Sequence, residues 1–149
     1  MDVIYIDNFL SDEVLKTCQD YIDNFYGQGI IGDKNFVNNF WEENKEKIQN
    51  INSDWIGLYN NVTKTNNSEP VNKHLDKKIR NEKYKMFIYL NEVPNGGTIF
   101  FDGADEQLVE NKLNRLVIFN IGLYHKSQNF LVGDNTFNKK LIGFRIISK

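Results

Sequence analysis

The chain has 149 residues, the size of one domain, with 40% hydrophobic and 26% charged residues, which places it among globular rather than disordered proteins. Its net charge of −2, from 18 basic and 20 acidic residues, leaves no basic surplus for a phosphate backbone, so nucleic acid is not an expected partner. No apolar run is long enough to span a membrane as a helix, the stretch from Met1 to Phe9 lacks the basic and apolar regions of a signal peptide, and the lone Cys18 excludes a disulfide framework or zinc ribbon; a cytoplasmic protein without a membrane partner is expected.

The first predicted element is a short apolar run, Val3 to Ile6. Ser11 then precedes a helical pattern in which Val14, Leu15, Cys18, Tyr21, Ile22 and Phe25 recur at three- and four-residue steps. Ser11 suits the N-cap and Asp12 and Glu13 the first turn; Gly27 and Gly29 are expected to end the helix. A second helix is predicted from Asn38 to Asn50, with Phe40, Trp41 and Ile48 as its apolar positions.

Asp54 to Tyr59 reads as a strand, and Val62 to Val71 as a polar loop. Short β-forming runs follow at hairpin-like intervals: Lys85 to Leu90, Thr98 to Phe101, Leu116 to Asn120, Phe130 to Val132 and Leu141 to Ile147. Turn signals separate them at Pro94-Asn95-Gly96-Gly97, Asp102-Gly103 and Gly133-Asp134-Asn135. Gly96 and Gly97 read as a turn, since no phosphate-binding fingerprint surrounds them, and Trp41 and Trp55 as core anchors. The expected class is α+β, mainly β, with helices packed on one sheet of a sandwich or jelly roll. Residues 1–149 form one expected domain, with 1–52 a helical buttress and 53–149 the β-core.

His74 and Asp76 stand two residues apart. On a strand they share a face, as two ligands of one metal require. A third ligand must come from elsewhere, and His125 is the one remaining histidine in the sequence. Two imidazoles and a carboxylate on one octahedral face leave the opposite positions open, the arrangement of non-haem Fe(II) oxygenases. His-x-Asp alone is a weak signal. The plain alternative is a surface histidine among Lys73, Lys77 and Lys78, and a hydrogen-bonded His125 beside Tyr124.

The stretch Lys85 to Gly103, KMFIYLNEVPNGGTIFFDG, resembles the centre of the prolyl 4-hydroxylase-like 2-oxoglutarate- and Fe(II)-dependent oxygenases. Their pattern is an apolar strand ending in Tyr-Leu-Asn, a Gly-Gly turn, then a strand ending in Phe. The resemblance continues through Asn114 to Phe119 and Tyr124-His125, and upstream through His74-x-Asp76 and the opening Ile6 to Ser11. It covers nearly the whole chain, and both histidines fall on ligand positions.

This resemblance implies a double-stranded β-helix with helices buttressing its larger sheet. It implies Fe(II) held by His74, Asp76 and His125 as the catalytic centre, 2-oxoglutarate and O₂ as cosubstrates, and ascorbate binding. The reaction it implies couples oxidative decarboxylation of 2-oxoglutarate, to succinate and CO₂, to hydroxylation of an unactivated C–H bond. The iron and cosubstrate carry the hard chemistry, while the protein orients the substrate and excludes competing reactions. The far carboxylate of 2-oxoglutarate needs a cation and a hydroxyl. Tyr89 matches a family tyrosine that can donate to it, and Tyr59 aligns with another near the cosubstrate. The cation falls to Lys139 or Lys140, which lie farther from the distal histidine than in the family, so Asn129 to Asn138 reads as an extended hairpin. Parity favours Lys139: Leu141, Gly143 and Arg145 then also point inward, Gly143 leaves room for a ligand, and Ile142, Phe144 and Ile146 pack on the helices. Arg145 falls nearer the mouth, where it meets substrate. Asn114 replaces a family glycine and tolerates positive φ.

Substrate is expected to be a prolyl residue, a free amino acid or another small acceptor, with the segments Gly27 to Phe36 and Val62 to Val71 as lids. A reading of a different class is a non-catalytic β-sandwich binding or regulatory module that keeps the fold; the intact ligand set argues against it. Nucleic-acid demethylation by the same iron chemistry is disfavoured by the charge balance.

Overall fold

The computed structural model describes residues 1–24, 29–31, 33–59, 62–64, 73–76, 82–128 and 139–149. The elements in chain order begin with β1 (Val3–Ile6), α1 (Asp12–Asp23), β2 (Gly29–Ile31), α2 (Lys34–Ile51), β3 (Trp55–Tyr59) and β4 (Val62–Lys64). They continue with β5 (Tyr84–Tyr89), β6 (Thr98–Asp102), β7 (Asp105–Val109), β8 (Leu116–Asn120), β9 (Tyr124–Ser127) and β10 (Leu141–Ser148).

Local chemistry sets the helix ends. The Ser11 hydroxyl accepts from the Val14 N–H at 3.2 Å and starts α1. The helix stops at Asp23, before the expected glycines, because Asn24 closes the last turn: its backbone N–H and side-chain amide both donate to the Asp20 carbonyl. Gly29 instead opens β2, and Phe25 and Gly27 lie outside the described residues. Helix α2 begins at Lys34 rather than Asn38, since the Asp33 carboxylate accepts from the Phe36 N–H at 3.1 Å.

The strands form three antiparallel sheets: a major sheet in the order β1-β8-β5-β10-β3, a minor sheet β7-β6-β9, and the pair β2-β4. Side chains alternate between the faces of the major sheet. Met86, Ile88, Leu116, Ile118, Ile142, Phe144 and Ile146 face the helices, in one core with Cys18, Ile22, Val37, Phe40 and Ile48. Phe40 stacks on Phe144 with ring centroids 4.4 Å apart. Phe87, Tyr89, Val117 and Phe119 point the other way and join Phe100 and Val109 of the minor sheet in a second core. The two sheets thus enclose an interior of their own. Trp55 is buried in the helix-side core, with Trp41 packed partly buried against it.

Several elements depart from the sequence expectation. β7 and β9 were not predicted as strands, and β1 gives the N-terminal segment a place in the major sheet beside β8. Val62–Lys64 pairs with β2 rather than lying in a loop. The predicted strand at 130–132, the turn at 133–135 and the hairpin at 129–138 lie outside the described residues, as do 27, 28, 32 and 65–71 of the expected lids. Gly97 is required by close approach, since a Cβ there would meet the Val109 carbonyl oxygen at 2.5 Å. No helix among the described residues is long and apolar enough to cross a membrane.

Candidate metal centre

The minor sheet places the histidines. On β9, His125 lies opposite Phe100 of β6. On its other side it forms an isolated antiparallel bridge with His74, each backbone N–H donating to the other's carbonyl at 2.9 Å. That bridge sets the rings side by side, 4.3 Å between centroids. Asp76, two residues beyond His74, completes the group: one donor atom from each of the three lies within 4.8 Å of the others. His74 Nε2 is 3.5 Å from Asp76 Oδ1, and His125 Nε2 is 3.5 Å from Asp76 Oδ2.

A hydrogen bond selects the ligating nitrogen of His125. Its Nδ1 lies 3.2 Å from the Leu123 carbonyl and, as N–H, donates to it, leaving the Nε2 lone pair for a metal. Phe119 packs 5.0 Å from the ring. Burial lowers the His125 pKa, partly offset by Asp76. Burial also acts to raise the Asp76 carboxyl, but the fields of His125, Lys85 and His74, with the Lys85 hydrogen bond, outweigh it and hold the pKa below the ordinary value. Neutral imidazole and ionised carboxylate are the ligating forms. The donor set fits Fe(II) in a three-residue facial site with open positions.

The site opens into a cavity of about 250 Å³, sized for a small molecule. Lys139, Leu141 and Gly143 line it. Lys139 is 1% exposed. Its ammonium sits 3.4 Å from the Ser127 hydroxyl and 5.6 Å from the centre of the Tyr89 ring. Burial pushes its pKa down to about 8. Tyr89 is fully buried, and its hydroxyl shares a 2.7 Å hydrogen bond with Thr98, which lines the cavity. Burial raises the Tyr89 pKa, so the phenol stays protonated.

The other expected residues lie elsewhere. Lys140 points away from the cavity, and its ammonium pairs with Asp23 of α1. Arg145 is not at an open mouth: it is buried, with Nη1 2.5 Å from Glu82 Oε2. Tyr59 lies across from Arg145 in the β3–β10 register and is not among the described residues lining the cavity. Sequence reading missed Lys85, whose ammonium lies 3.0 Å from Asp76 Oδ2, and the cavity hydroxyls of Thr98 and Ser127. Parity carried the signal for Lys85, which shares a strand face with Phe87 and Tyr89. Cys18 is no competing nucleophile, because burial pushes its thiol up to about 12.

No protein-family model and no curated protein matches this sequence. Solved structures do. A prolyl 4-hydroxylase from Pseudomonas putida superposes with a TM-score of 0.69 at 12% identity, over 99% of this chain and 93% of that one. A Trichoplax adhaerens prolyl hydroxylase, in complex with a hypoxia inducible factor oxygen degradation domain peptide fragment, gives 0.71 at 13% identity, over 99% and 84%. A 2OG-Fe(II) oxygenase family oxidoreductase from Burkholderia pseudomallei gives 0.77 at 6% identity, over 97% and 84%. At these identities the likeness is one of fold.

Proposed function

We propose that the chain is an Fe(II)- and 2-oxoglutarate-dependent oxygenase on a double-stranded β-helix, hydroxylating a peptidyl or free amino-acid acceptor and releasing succinate and CO₂. The observation that carries this reading is the convergence of His74, Asp76 and His125 within 4.8 Å, on a cavity that also holds the buried cation Lys139. A surface histidine pair would not be expected to share its cavity with a desolvated ammonium. Lys139 lines the same cavity as the three donor residues, where a charge-assisted hydrogen bond would hold a carboxylate of the cosubstrate.

His74, Asp76 and His125 would hold the iron. Bound iron and 2-oxoglutarate supply the oxidising chemistry, with ascorbate as an accessory reductant. Lys139 would bind the far carboxylate of the cosubstrate by a charge-assisted hydrogen bond, with Thr98 and Ser127 as hydroxyl partners. Tyr89 acts through Thr98: its hydroxyl orients the Thr98 hydroxyl rather than reaching the cavity itself. Gly143 leaves the adjoining wall without a side chain. The peptide held by the Trichoplax relative supports a peptide acceptor, and the −2 charge argues against a nucleic-acid one.

The test is anaerobic. Fe(II) followed by 2-oxoglutarate should give the visible charge-transfer band of the chelate, absent in His74→Ala. No band from folded wild-type protein freed of other metals overturns the proposal and favours a binding module. With a band in hand, acceptors are screened by stimulated succinate release.

A further inference from the structure

Asp76 meets the two imidazoles evenly, with Oδ1 3.5 Å from His74 Nε2 and Oδ2 3.5 Å from His125 Nε2. Those distances do not select one oxygen as the ligand, and a carboxylate so placed can chelate a metal through both. Lys85 breaks the symmetry: its ammonium lies 3.0 Å from Oδ2, and its side chain is 14% exposed. Strand β5 delivers it from the inner face of the major sheet, between Phe119 of β8 and Arg145 of β10. Arg145 is held by Glu82. Two cations directly across a sheet repel each other, and each is matched by its own anion.

We propose that Lys85 is a positioning residue that occupies Asp76 Oδ2 and confines Asp76 to a single coordinating oxygen, Oδ1. The inference rests on the metal-site reading above. Its consequence is coordination number. Two imidazoles and a chelating carboxylate fill four positions of an octahedral ion, and a two-point cosubstrate fills the rest. With one carboxylate oxygen withheld, an open position survives cosubstrate binding. Removing the ammonium frees Oδ2 to join the metal while all three ligand side chains remain.

The 149-residue chain is loaded anaerobically with Co(II), without cosubstrate, and its visible spectrum is recorded for wild type, Lys85→Met and Lys85→Arg. Lys85→Met should keep Co(II) but change its spectrum, and Lys85→Arg should restore the wild-type spectrum. With Fe(II) and 2-oxoglutarate, nitric oxide then probes the open position by electron paramagnetic resonance. The nitrosyl signal should fall about tenfold or more in Lys85→Met, the low end of what losing an outer-shell partner costs a metal site in activity. A wild-type Co(II) spectrum in Lys85→Met overturns the proposal, as does an undiminished nitrosyl signal. Loss of the metal from folded Lys85→Met also overturns it, since Lys85 would then serve affinity rather than denticity. If Lys85→Met does not fold, Lys85→Leu, which also lacks a donor, carries the same test. Wild-type protein that binds neither Co(II) nor Fe(II) is a different result: it removes the oxygenase reading itself.

Discussion

Lys139 and Lys140 are neighbours in sequence and point to opposite sides of the strand they lead into. Lys139 is buried in the cavity beside Ser127, and Lys140 pairs with Asp23 on the helix side. Their substitutions should therefore separate. A hydrogen bond to a charged group contributes about 1.5–3 kcal/mol, so Lys139→Met should weaken 2-oxoglutarate binding by about 10- to 100-fold. Lys140→Met should leave it within about twofold, because a half-exposed ion pair contributes little. Titrating the charge-transfer band in both variants decides between the two lysines. Equal losses would place the cosubstrate elsewhere.

The depressed pKa of Lys139 makes a stability prediction of known sign. Its folded value is about 8 against an ordinary 10.5. Between those values the unfolded chain binds more protons, so the ligand-free protein gains stability as pH rises from about 8 towards 10.5, and the burial penalty is present in full below 8. Lys139→Met should remove that slope and raise ligand-free stability at pH 7 by up to about 3.5 kcal/mol, each pKa unit being worth about 1.4 kcal/mol. It should do so while weakening cosubstrate binding, a trade of function for stability. Urea melts across this pH range are the measurement, and a destabilised Lys139→Met would count against a desolvated ammonium. In wild type, 2-oxoglutarate affinity should fall above about pH 8, as the ammonium loses its proton.

Much of this arrangement was legible because its signals are local. Ser11 before an apolar 3.6-period announced α1, and alternation in β10 separated cavity-facing from helix-facing side chains. The two histidines stood out by rarity, although His-x-Asp alone is a weak signal. What stayed hidden lacked such signals. β7 (Asp105–Val109) is mostly exposed and acidic, and it is a strand only because it pairs with β6. β9 carries four non-aliphatic residues, Tyr-His-Lys-Ser, and takes its form from pairing with β6. Parity put Lys85 on the face of Phe87 and Tyr89, but only the fold brings Asp76 to it. Arg145 was expected at an open mouth, and its partner Glu82 precedes β5 without belonging to any motif.

Asn114 shows why a residue that replaces glycine need not act as a weak glycine. It adopts φ 63°, a conformation in which glycine costs least. Its side chain, however, clamps the approach to α1: Oδ1 accepts from the Leu10 N–H at 2.9 Å, and Nδ2 donates to the Leu10 carbonyl at 2.8 Å. Asn114→Gly would satisfy the backbone and strand both Leu10 groups in a buried place. We predict a loss of about 2 kcal/mol, from the cost of unmade buried hydrogen bonds, with Asn114→Ala worse because it adds backbone strain. Thermal unfolding of both variants checks the order. A neutral Asn114→Gly would show that conformation, not the clamp, dominates there.

The two histidines of the proposed metal site differ in what else they do. His125 is packed against Phe100 and Phe119 and bonded to the Leu123 carbonyl. The His74 side chain is 39% exposed, and its share in the bridge to His125 is made by backbone. Truncation should abolish metal binding in both cases but unfold the protein unequally. His74→Ala should leave ligand-free stability nearly unchanged, within about 0.5 kcal/mol. His125→Ala opens a hole in the inter-sheet core and leaves the Leu123 carbonyl without that donor, at a cost of about 1–3 kcal/mol. Metal then supplies the second readout. A ligand that binds the folded state alone stabilises it by about 2.7 kcal/mol at a hundredfold excess over Kd. Divalent metal should therefore raise the melting temperature of wild type, with a chelator reversing it. Neither variant should respond. A metal-dependent shift that survives in His74→Ala would mean that the ion sits elsewhere in the protein.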